Sequence, residues 1–158
     1  MLSVTVRLPV AARGRQGDSE ALAMDNKRLV QRFRQLLDSR YFRAAADLMS
    51  DGIRWWVPRS SAGLGYERPV EGREAVARLT RGASERFYRA GSMQRRYHCF
   101  VAEGDRVSVW FTMNAVTAAG EDHTNDYHCL FRCEDGRIAE VWEHLDTAYA
   151  LSKFKADA

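Results

Sequence analysis

The run Asn125-Asp126-Tyr127-His128-Cys129-Leu130-Phe131-Arg132-Cys133-Glu134-Asp135-Gly136-Arg137-Ile138-Ala139-Glu140-Val141-Trp142-Glu143-His144-Leu145-Asp146-Thr147 decides the fold. At its centre Asp135-Gly136 supplies the positive φ that a two-residue hairpin turn requires. Aromatic and β-branched residues flank it on both sides, so the pattern predicts two antiparallel strands, 124–133 and 137–146. The turn pins their register. Strand alternation then sorts the side chains: with Glu143 facing inward, Val141 and Leu145 join it, and Trp142, His144 and Asp146 face away. On the first arm Asn125, Tyr127 and Cys129 share the inner face, while Asp126, His128 and Leu130 take the outer one.

Working upstream, 93–102 and 106–117 read as two more strands, separated by Glu103-Gly104-Asp105 and followed by the turn-rich 118–123. Gaps this short imply antiparallel hairpins. Counting back from the hairpin puts Trp110 and Thr112 inside. It leaves Val107, Val109, Phe111 and Met113 facing outward, an apolar surface that a homodimer is expected to cover. Further upstream the period changes from two to 3.6. Asp25 or Asn26 caps a helix with Leu29, Val30, Phe33, Leu36 and Leu37 on one face, and a shorter helix follows over 41–49. Asp51-Gly52 turns the chain into a strand at 53–57, closed by Pro58. Residues 59–71 form a loop of the length typical of lids and binding loops. A third helix runs from Arg73 to about Tyr88, with Ala75, Val76, Leu79 and Ala83 inside, and Gly91 stops it. Helices first and a meander afterwards define an α+β fold. The expected domain is 24–150, between an N-terminal tail, 1–23, and a C-terminal tail, 151–158. A short strand at 3–8 is the alternative for the first segment, and Met24 offers an alternative start.

With 158 residues, 46% hydrophobic and 28% charged, the chain has the size and composition of one globular domain. No apolar run approaches the roughly 20 residues that span a bilayer. The net charge of +3 gives little pull on an anionic polymer. Arg73, Arg78, Arg81, Arg86 and Arg89, with Arg95-Arg96, read as a solvated helix face and strand edge rather than a nucleic-acid strip. Cys99, Cys129 and Cys133 make an odd count without a secretory apolar segment, which points to reduced thiols in the cytoplasm. All three read as small core residues.

Two stretches carry a family resemblance. Gly72-Arg73-Glu74-Ala75-Val76 resembles the glycine-arginine-glutamate start of the third helix in SnoaL-like proteins of the nuclear transport factor 2-like superfamily. The opening stretch resembles that family's closing hairpin: Asn125-x-Tyr127, the Asp135-Gly136-Arg137-Ile138 turn, and Glu143-x-x-Asp146 at the end. The resemblance spans roughly 25–150. It implies a cone-shaped, curved antiparallel or mixed sheet wrapped around three N-terminal helices and enclosing a pocket.

The resemblance also tests specific chemistries. Steroid isomerases of the superfamily use a tyrosine on the first helix, a carboxylate base ending the first strand and a protonated aspartate. The matching positions here hold Phe33, Val57 and Tyr127. Limonene-type epoxide hydrolases use an arginine and an aspartate two apart on one strand and a second aspartate on the last. The matching positions hold Trp110, Thr112 and Glu143. Both catalytic sets are therefore absent. What remains is a pocket for a small apolar or aromatic molecule, lined by Phe33, Trp55, Val57, Trp110, Thr112, Asn125 and Cys129. Glu143 is its candidate acid or base, with Tyr127 orienting a substrate oxygen. Scytalone-type dehydratases use strand histidines, which adds His98, whereas alternation turns His128 away. The implied activity is a polyketide-cyclase, isomerase or dehydratase-like proton transfer; the alternative is a non-catalytic binding or assembly module. With no glycine-rich phosphate loop and no metal-ligand spacing, no cofactor or metal is expected.

Overall fold

The computed structural model describes residues 13–60 and 68–154. Helix α1 (Arg13–Asp38) leads into a short α2 (Phe42–Ala46), then strand β1 (Met49–Trp56), strand β2 (Val70–Glu71) and helix α3 (Arg73–Phe87). Four long strands follow: β3 (Gln94–Glu103), β4 (Arg106–Val116), β5 (Asp122–Glu134) and β6 (Arg137–Leu145), then helix α4 (Thr147–Phe154). They form one α+β unit with an open, mixed six-stranded sheet in the order β2-β1-β6-β5-β4-β3. β1 runs parallel to β6, and the other neighbours are antiparallel.

The opening hairpin forms, with its register shifted once, between Arg132 and Cys133, so the turn alone does not pin it. Asp135 and Gly136 adopt φ of 50° and 70° and join Glu134 to Arg137. Gly72 is the second position where glycine is required. Its φ of 89° turns the chain from β2 into α3, and its N–H donates to the Ile53 carbonyl at 2.8 Å.

The first helix starts at least twelve residues earlier than its expected cap. Asp25 and Asn26 sit mid-helix, within a stretch whose Ala, Arg, Gln and Glu are strong helix formers. Tertiary contacts anchor that extension: Ala23 and Asn26 are buried, and Asn26 Nδ2 donates to the Gly104 carbonyl at 3.0 Å. Residues 3–8, the alternative strand, lie outside the described residues, as do 61–67 of the loop. At the other end α4 occupies part of the expected tail. Asp146 Oδ1 accepts the Tyr149 N–H at 3.0 Å, an N-cap that starts the helix.

The largest correction concerns β4. Val107, Val109, Phe111, Met113 and Ala115 face the core, and Trp110 is 46% exposed on the other side. The pairing of Phe111 with Tyr127 and of Trp110 with His128 fixes this register. A one-residue difference in parity exchanges every side chain between faces, and burial of five apolar residues outweighs burial of Trp110 and Thr112. The apolar outer stripe that a homodimer was expected to cover is thus an inner stripe. On β3 a bulge between Tyr97 and Cys99 turns Phe100 and Ala102 inward and leaves Cys99 and Val101 exposed. Cys99 is therefore not a core residue, unlike the buried Cys129 and Cys133. The arginines of α3 lie in a face of alternating charge, with Arg73 paired to Asp51, Arg78 to Glu74 and Arg81 to Glu85. Among the described residues no helix is long and apolar enough to cross a membrane.

Candidate active site

A cavity of about 240 Å³ lies between the inner face of the sheet and helices α1, α3 and α4. A dry cavity of about 150 Å³ accepts a benzene ring, so this one has room for about two fused rings. Its sheet wall includes Trp55, Val57, Arg95, Phe111, Met113, Tyr127, Glu143 and Leu145. Arg34 and Leu37 come from α1, and Leu79, Ala83 and Phe87 from α3. Ala150, Leu151 and Phe154 of α4 close one end, with Phe154 packed on Phe87 at 4.7 Å between ring centroids.

Glu143 stands on β6 opposite Cys129 of β5. Its carboxyl lies deep in the fold, and the surface it retains is cavity wall. Burial pushes its pKa up. The charges of Arg34, Arg95 and His144 and a hydrogen bond with the Trp55 side chain pull the other way without cancelling that rise. Glu140, three residues earlier, shows the contrast. Burial pushes it up too, but Arg54 and Arg132 hydrogen-bond it and hold it below the ordinary carboxylate value. Of these two glutamates, Glu143 is the one that combines cavity access with a raised pKa.

Tyr127 stacks on Phe111 with centroids 5.0 Å apart and rings 8° from parallel. Burial raises its hydroxyl pKa well above the ordinary value, so it stays protonated as a donor, and it shares a hydrogen bond with Tyr88. Tyr88 Oη in turn lies 3.4 Å from Nε2 of the buried His123, whose pKa burial lowers. A chain of three polar groups therefore leads from the cavity wall into the layer beneath α4.

Of the residues expected at the site, the structure brings Glu143, Tyr127, Trp55 and Val57 together around the cavity. Phe33 lies in the packing layer behind it, 6.4 Å from the Trp55 ring and 6.1 Å from Phe131. Cys129 is fully buried, and burial pushes its thiol up to about 12. Asn125 is buried and structural: it donates to the Asp146 carbonyl at 3.0 Å and accepts the Asp146 N–H at 3.2 Å. Trp110, Thr112 and His98 lie on the outer face, so none belongs to this cavity. His98 Nε2 is 2.7 Å from Thr112 Oγ1, which donates to Asp126 at 2.6 Å, and the His98 ring rests on Trp110 at 4.3 Å.

Sequence reasoning missed Arg34, Tyr88 and the α4 residues. Arg34 carried a signal: Val30, Arg34 and Leu37 are spaced four and three apart, so the arginine lies on the apolar face of α1. Thr147, Ala150, Leu151 and Phe154 repeat the same helical spacing after Asp146.

The sequence of residues 30–141 matches the SnoaL-like domain, and the chain belongs to that family. No functionally curated protein matches it in sequence. Among solved structures it is similar to an NTF2-like protein of unknown function from Burkholderia pseudomallei K96243. That pair superposes with a TM-score of 0.75 at 20% identity, covering 84% of this chain and 98% of the other. TerC co-crystallised with polyporic acid gives 0.73 at 18% identity, covering 84% and 99%. A proposed SnoaL-like polyketide cyclase from Jannaschia sp. CCS1 gives 0.69 at 20% identity, covering 87% and 96%. At these identities the likeness establishes the fold.

Proposed function

We propose that this protein binds a small, ring-bearing molecule in the cavity and transfers a proton on it through Glu143. One observation carries the reading: a carboxyl with a raised pKa, set in an aromatic cavity wall. In its ionised form Glu143 removes a proton from a carbon next to a carbonyl. In its protonated form it returns the proton to a neighbouring carbon, which gives isomerisation, or to a leaving oxygen, which gives dehydration. Tyr127, protonated at all physiological pH values, donates in this reading to the substrate oxygen as negative charge grows there. The inward residues of β4 are all apolar, so the Arg–Asp pair of the limonene-type hydrolases has no counterpart on that strand.

The experiment is a screen of bicyclic ketones and enols by exchange of the α-proton for deuterium, comparing the wild type with Glu143→Gln. Exchange that the wild type catalyses and the variant loses, with ligand affinity retained, supports the reading. Ligand binding with no exchange in either protein would leave a binding module of the same fold. That second reading draws on the Trp55 hydrogen bond, which ties the Glu143 carboxyl to the wall as a structural pair would.

A further inference from the structure

The cavity holds a cation that the proton-transfer reading does not use. Arg34 is 4% exposed and lines the cavity from α1. Its guanidinium lies over two rings, 4.8 Å from the Phe111 centroid and 5.1 Å from that of Phe131. Buried charges are ordinarily hydrogen-bonded and paired. Here the Nε and Nη2 atoms are buried and have no hydrogen-bond partner. A side-chain hydrogen bond joins the guanidinium to the Cys129 sulfur, a weak acceptor.

The nearby acids do not fill the vacancy. Asp38 is engaged elsewhere, accepting from Arg95 Nη1 at 2.6 Å and from Tyr97 Oη at 2.8 Å. Glu143 acts on Arg34 through charge, and its own side-chain hydrogen bond is with Trp55. The Tyr97 hydroxyl and Cys129 thiol stay protonated, because burial raises both. Two unsatisfied donors on one planar fork present the geometry that a carboxylate or a similar two-oxygen anion meets with parallel hydrogen bonds. The rings on either side would hold the apolar body of such a molecule.

We infer that the cavity selects an anionic aromatic ligand, a ring system bearing a carboxylate or an acidic enol, drawn by the charge of Arg34, whose unpartnered Nε and Nη2 meet it as the guanidinium turns toward the cavity. This rests on the small-molecule reading of the cavity and adds the ligand's charge and its anchor. It also assigns Arg34 the binding role and leaves Glu143 the chemistry, with the anion held between the helix and the sheet wall.

The test is calorimetric titration of the full chain with 2-naphthoate and with its neutral isostere 2-naphthamide, in the wild type and in Arg34→Met. The methionine keeps apolar contact with Phe111 and Phe131 while removing the charge. The wild-type comparison stands alone if that variant does not fold. The expected result is a preference of roughly tenfold or more for naphthoate, as charge-assisted hydrogen bonds supply, falling to near parity in the variant. Equal or tighter binding of the amide by the wild type would overturn the inference while leaving the cavity reading intact. A naphthoate preference that survives in Arg34→Met would overturn the assignment to Arg34. Binding of neither compound would overturn the cavity reading and this inference with it.

Discussion

Glu140 and Glu143 sit three residues apart on one strand and have opposite electrostatic fates, because the first meets two arginines and the second meets a cavity. The raised pKa of Glu143 has a consequence for stability. A carboxyl whose pKa rises on folding contributes stability that is complete below its unfolded pKa and is lost as the pH rises through its folded pKa. Replacing it with glutamine removes that loss. Urea unfolding at about pH 5 and about pH 8 should therefore show Glu143→Gln gaining on the wild type at the higher pH; an equal offset at both would contradict a raised pKa. Trp55 acts in the opposite sense, since its hydrogen bond favours the carboxylate. Trp55→Phe should move the Glu143 titration further up, as read by NMR of the labelled carboxyl, and a downward move would place the indole in a different role.

At the scale of elements, β4 and α4 decide which residues see the cavity. The inner face of β4 is a continuous apolar row, with Phe111 2% exposed and Trp110 46% exposed. Phe111→Ala should cost about 3–5 kcal/mol of unfolding free energy, whereas Trp110→Ala should stay within about 1 kcal/mol. Chemical denaturation measures both, and reversed costs would mean that the register is off by one. For α4 the cap is the weak point. Asp146→Ala removes the acceptor of the Tyr149 N–H and should cost about 1 kcal/mol. Hydrogen exchange should show that loss in α4 first; protection unchanged there would mean that packing of Phe154, not the cap, holds the helix.

Across the whole molecule, the closing hairpin was the most legible part, because Asp135-Gly136 admits one turn and aromatic and β-branched residues flank it, although the register shifts between Arg132 and Cys133. Glu143, Tyr127, Trp55 and Val57 could be placed from it and from the first strand. The β4 residues could not. Their alternation was plain in the sequence, but alternation alone does not say which half faces in. The five-residue turn at 117–121 and the bulge at His98 break any count carried across them. Arg34 was hidden for another reason: a charged residue on an apolar helix face looks like an error of phase until the cavity beside it is seen. The cavity lies between the helical layer and the sheet, so a ligand filling it braces both. At a hundredfold excess over its Kd such a ligand should add about 2.7 kcal/mol to stability, read as a shift in the urea midpoint.

The proposed proton transfer is tested most directly by the pKa of Glu143, by NMR titration of carboxyl-labelled protein with Glu143→Gln to assign the signal. A midpoint above the ordinary carboxylate value is the expected result, the direction that a general acid or base working near neutral pH needs. A midpoint at or below the ordinary carboxylate value would contradict the account and make Glu143 a structural partner of Trp55 and the nearby arginines.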